Sequence, residues 1–146
     1  MMTVAWAPTL EQVAIWVPWL TTSTATPGNQ TYAGTFTTTT SPTDAQAQAH
    51  IDRSVAVIGA GISATLPTTL YPLASAVTAL KTAIALARSF PRSAADLVFA
   101  DALEKQYNTD YQALIVSIDQ TGTSPVEAYP VWTAPDPVWW GDRTDI

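Results

Sequence analysis

Proline decides where this chain can be helical. Of its eleven prolines, Pro18 interrupts a first short helical pattern and Pro42 falls where a longer helix begins. Pro125, Pro130, Pro135 and Pro137 exclude continuous helix from the C-terminal segment, because an interior proline lacks the amide donor and clashes with the carbonyl four residues back. Between these points the apolar residues repeat at helical spacing.

The first pattern has Thr9 as cap and Gln12 three residues on, as in a capping box, with Leu10, Val13, Ile15, Trp16 and Val17 supplying apolar surface for a short docking helix. Residues 21 to 40 are rich in threonine, glycine and asparagine, with Tyr32 and Phe36 as the aromatics. Alternation around Thr35-Phe36-Thr37 suggests a strand or hairpin within a loop, and a loop of this length predicts an interaction segment. Ser41-Pro42-Thr43-Asp44 is the strongest local signal: Ser41 as cap, proline at the first helical position and an acid near the positive helix end. The helix it starts carries Ala47, Ile51, Val55, Ile58 and Ile62 on one stripe, and Gly59 and Gly61 weaken its end.

A third helix over 70–90 has Leu73, Val77, Leu80, Ile84 and Ala87 on one side. Ala76, Ala79 and Ala83 leave another side narrow enough for a neighbouring backbone, so this helix is expected to be buried on most sides. Ser93 with Asp96 forms a further capping box for a last helix on Leu97, Ala100, Leu103, Tyr107, Tyr111, Leu114 and Ile118, ending at Thr121-Gly122. The chain therefore reads as all-α: a small bundle of about four helices with a long threonine-rich loop that can hold a short β-hairpin. Residues 1–122 form the core, including the loop 21–41, and 123–146 an extended Trp/Pro-rich arm. Trp132, Trp139 and Trp140 are costly to leave facing water, so with Tyr32 and Phe36 they are the expected partner-binding residues.

At 146 residues the chain has the size of one domain. It is 47% hydrophobic but only 12% charged, about half the usual charged share, which suits a subunit whose surface is covered by other proteins. A formal charge of −6, with the basic residues scattered singly, argues against gripping nucleic acid through its phosphates. Cysteine is absent, removing disulfide and thiolate chemistry. No basic region followed by an apolar run opens the chain, and Pro72, Lys81 and Arg88 interrupt the apolar stretch 70–90, so no membrane association is expected.

No motif selects a catalyst. His50 is the single histidine and reads as a polar helix residue, with no nucleophile motif to serve. Asp101 and Glu104 imitate an acid/base pair, but Lys105 follows Asp101 by four, as on a solvated helix face. No metal or cofactor site is expected. Val55 to Ala64 imitates the strand and glycine turn of a dinucleotide-binding fold. Pro67 falls where the following helix should run, and the cap at residues 41–44 launches a helix through the supposed strand.

Taken in order, several segments resemble the head-to-tail adaptor, or connector, proteins of long-tailed bacteriophages, particularly those infecting actinobacteria. Trp6-Ala7-Pro8-Thr9 followed by Gln12-Val13-Ala14 is similar to the family's opening helix. Gly34-Thr35-Phe36-Thr37 followed by Thr40-Ser41-Pro42-Thr43 is similar to its threonine-rich loop and second helix start. Ile51, Val55 and the Gly59 region continue that helix in register. The alanine-rich Leu73 to Ala87 helix with Ser89-Phe90-Pro91, and the Tyr107 to Leu114 helix, resemble its second half. The resemblance spans Trp6 to about Gln120.

It implies a structural, non-enzymatic virion protein in the neck, made in the host cytoplasm. Such a protein forms a ring, commonly a dodecamer, under the portal and joins capsid to tail around the DNA channel. Its partners would be the portal protein, neighbouring adaptor subunits, and stopper or tail proteins, with DNA passing through without sequence-specific binding. Twelve copies at −6 would make −72, a sign that repels DNA from the lumen. The alternatives are a head-completion or stopper protein of the same neck, or a small soluble helical domain with an unrelated or enzymatic role.

Overall fold

The computed structural model describes residues 4–23, 31–62 and 66–122. They form an all-α domain of four helices: α1 (Leu10–Ala14), α2 (Asp44–Gly61), α3 (Tyr71–Ser89) and α4 (Ala94–Gly122). Short 3₁₀ turns at Pro18–Thr21 and Thr68–Leu70 follow α1 and lead into α3. The strands β1 (Thr22–Ser23) and β2 (Thr31–Tyr32) pair antiparallel, Thr22 opposite Tyr32. The expected strand at Thr35-Phe36-Thr37 is absent. Gly34 instead takes φ +79°, a left-handed turn conformation that a side chain would strain, and Phe36 is drawn into the core at 3% exposure.

Thr9 caps α1: its hydroxyl accepts from Gln12 N–H at 3.2 Å, and the Gln12 side chain accepts from Thr9 N–H at 2.8 Å. The expectation for Ser41 needs correction, because α2 begins at Asp44 and its cap is Thr43. The Thr43 hydroxyl accepts from Gln46 N–H at 3.3 Å and Gln46 Oε1 from Thr43 N–H at 3.0 Å. Ser41 lies too early because residues 40–42 are held in a turn. The Thr40 hydroxyl lies 2.7 Å from the Pro42 carbonyl and accepts from Thr37 N–H at 2.9 Å, and Asp44 N–H donates to the Thr37 carbonyl at 3.0 Å. Thr43→Ala is therefore expected to cost about 1 kcal/mol, and Ser41→Ala to stay within about 0.5 kcal/mol, read as shifts in the urea unfolding midpoint.

At Ser93 the cap is shared differently from the sequence pattern. The Asp96 carboxylate accepts from Arg92 N–H at 2.7 Å and Ser93 N–H at 3.3 Å. Asp96 N–H, however, goes to the Ser93 carbonyl at 3.1 Å rather than to its hydroxyl. The acid thus satisfies the amides at the start of α4 and places negative charge at the positive helix end.

α3 is the central helix, packed against α4, α2 and α1. Ten of its nineteen residues are buried, which no single stripe could supply. Thr78 and Thr82 are wholly buried among them because their hydroxyls donate to the carbonyls of Ala74 and Thr78 at 2.7 and 2.8 Å, satisfying polar groups within the helix itself. Together with the preceding turn, α3 is long and apolar enough to cross a membrane by length and composition. Just over half of that stretch, 56%, is buried inside the bundle.

Val13, Val17, Leu20, Phe36, Ala47 and Ile51 fill one end of the core. Trp6, Ile58, Ile62, Ala74, Val77 and Leu114 fill the other. α2 runs unbroken through the segment that imitates a dinucleotide-binding turn. Gly61, besides ending it, makes room for α4: a Cβ there would stand 2.5 Å from the Tyr111 hydroxyl.

Candidate functional site

The first half of α4 carries consecutive apolar side chains that face outward, whereas Val57 on α2 and Val116 later on α4 are exposed singly. Leu97 is 44%, Val98 69% and Phe99 40% exposed, while Ala100 and Leu103 are buried. Four consecutive apolar residues at 100° each sweep most of the way round a helix, so some must point away from the core. Phe99 meets the Trp19 ring edge-on, centroids 5.0 Å apart, linking the patch to the turn after α1. Trp19 is half-buried, and its indole N–H is enclosed without a hydrogen-bond partner among the described residues, a donor that normally finds an acceptor. Ile15, at the end of α1, is 74% exposed.

A groove of about 930 Å³ runs between the N-terminal segment and α2. Val4, Pro8, Leu10 and Val55 give it apolar walls, and Glu11, Asp52 and Arg53 give it charged rims. A second, smaller cleft of about 360 Å³ lies between α2 and α3. Basic residues that are scattered singly along the sequence meet there. Arg53, Lys81 and Arg88, three of the chain's six lysines and arginines, line it together with the single histidine, His50, and no carboxylate is among its lining residues.

The ionisable groups around this cleft are held by specific contacts. Arg88 reaches across to α4, 2.9 Å from Asp101 and 3.1 Å from Glu104. Asp101 and Glu104 therefore clasp one guanidinium and do not form an acid/base pair. The hydrogen bond from Arg88, and then its charge, hold the Glu104 carboxyl below its usual range. Lys81 Nζ sits 5.2 Å from the centroid of the Tyr107 ring, a cation over an aromatic face. Tyr107 stacks on Tyr111 at 5.7 Å; burial, and then the neighbouring Tyr111, push its phenol pKa up. His50 packs edge-on to Phe90, and burial followed by the Arg53 charge lowers its pKa, favouring neutral imidazole.

Among the residues expected to bind partners, Phe36 is buried beside Val13, Leu20 and Ile51, where it secures the loop to the core. The Tyr32 backbone pairs with Thr22, while its side chain lies outside what is described. Trp132, Trp139 and Trp140 lie outside the described residues. Val98 and Phe99, which sequence reasoning passed over, were legible in principle as members of the Leu97–Ala100 run lying off the buried stripe. Comparison with protein-family profiles, curated proteins and solved structures finds no match to this chain.

Proposed function

We propose that the chain is a structural subunit that assembles side by side into a ring beneath a portal, joining capsid to tail around the DNA channel. The observation that carries this reading is the outward-facing run of three consecutive apolar residues, Leu97, Val98 and Phe99, on the four-helix core, with Phe99 against Trp19. Exposed apolar clusters of this kind mark protein contact surfaces. The low charge of the chain and the ordered resemblance of its segments to phage head-to-tail adaptors support the same reading.

Between adaptor and stopper, the adaptor is favoured. A stopper would carry more strand, and among the described residues the only ladder has two residues per strand. The arm from residue 123 supplies a second contact through Trp132, Trp139 and Trp140, reaching the portal or a neighbouring subunit.

Removal of everything after Gly122 is expected to leave helical circular dichroism and a cooperative unfolding transition, and to abolish attachment to purified portal. Retained attachment would overturn the assignment of the arm.

A further inference from the structure

The cleft between α2 and α3 concentrates positive charge in a chain that is otherwise acidic. Twelve acids face six lysines and arginines over the whole sequence, yet Arg53, Lys81 and Arg88 meet here, beside His50, with no acid among the lining residues. Arg88 is already paired with Asp101 and Glu104, so its head is fixed and its charge largely offset. Neither Arg53 nor Lys81 has a carboxylate within salt-bridge distance among the described residues. Two cations without a salt bridge among the described residues, Arg53 and a Lys81 that rests over the Tyr107 ring, therefore border one concave site.

Hydroxyl donors complete it. Ser54 and Ser89 line the cleft from α2 and α3. Ser54 is 4% exposed and forms part of the cleft wall. The His50 ring, also in the cleft lining, carries an N–H donor. Cations and hydroxyls converging from two helices match an oxyanion with several acceptor oxygens better than the two oxygens of a carboxylate.

We infer that this cleft binds a phosphate group, as inorganic phosphate or as a phosphodiester of nucleic acid, between Arg53 and Lys81 with Ser54 as a hydrogen-bond donor. The inference does not depend on ring assembly. In a ring it would give each subunit one weak phosphate contact within a predominantly acidic surface.

His50 is the chain's single histidine, so its imidazole resonance in the full-length protein is a unique reporter. The charged groups around it are Arg53 on α2, Lys81 and Arg88 on α3, and Asp101 and Glu104 behind Arg88 on α4. Inorganic phosphate and a short DNA duplex are titrated separately, with chloride at matched ionic strength as control and a glutamate-rich peptide as competitor class.

A saturable shift of the resonance and a rise in the His50 titration midpoint are expected, because a bound anion favours imidazolium. Arg53→Gln and Lys81→Gln should each weaken binding by at least about tenfold. Arg92→Gln, whose side chain instead reaches the Ser41 carbonyl, should not. Response to phosphate alone identifies a small-anion site, and response to both phosphate and duplex identifies a phosphodiester site; either supports the inference. No saturation beyond chloride, unchanged affinity in both glutamine variants, or response to the acidic peptide alone would overturn it.

Discussion

Val98→Glu is expected to leave the bundle folded and to abolish assembly on a portal. Val98 is 69% exposed, so the free subunit gains a solvated carboxylate at little cost, as surface changes usually do. In a packed interface the same carboxylate would be desolvated among apolar groups without a partner. Loss of a central interface residue weakens binding by about thirtyfold or more, and a ring repeats the defect at every subunit contact. Circular dichroism and the urea midpoint should match the parent, while electron microscopy of the mixture with portal should show bare portals. Normal assembly by this variant would move the interface away from the first half of α4.

Leu80→Ala should show the opposite pattern: a large loss of stability, with any effect on assembly following from it. Leu80 is wholly buried on α3, in a cluster with Ile84 and Leu103 to which Trp16 and Tyr107 also pack. Truncation removes buried hydrocarbon and leaves a cavity that α1, α3 and α4 together would have to close, which costs about 2–5 kcal/mol. Against a total of about 5–15 kcal/mol for a domain, that is a large fraction. It should appear as a lower urea midpoint at nearly unchanged slope. A shift below about 0.5 kcal/mol, the range of surface substitutions, would mean that α3 is not the core helix.

These two positions also show what the sequence could and could not convey. The stripe Ala47, Ile51, Val55, Ile58 and Ile62 was legible because one helical period against one core leaves one solution: four of the five are buried and Val55 is half-buried. Leu80 and Ile84 were legible in the same way. Phe36 was not: in a loop no periodicity tells a side chain inserted in the core from one held out for a partner. The proline that follows Ser41 points to Ser41 as the cap, and the cap falls instead at Thr43 through contacts of Thr37 and Thr40 upstream of the helix.

The basic cleft is a tertiary feature. Arg53 and Lys81 lie 28 positions apart in the sequence and share a site only because α2 and α3 pack together. The Arg88 clasp likewise needed α4 to bring Asp101 and Glu104 opposite α3, where sequence spacing alone paired Asp101 with Lys105. The tryptophans of the arm were singled out on composition and lie beyond the described residues, so the truncation after Gly122 is their test.

The most direct measurement is electron microscopy of the full-length protein mixed with purified portal, at concentrations where the free chain is monomeric and only a template would drive assembly. A closed ring of this chain, coaxial with the portal and extending its channel, is the predicted result. A portal that remains bare at saturating protein, or that carries scattered single copies without ring closure, would contradict the proposed role.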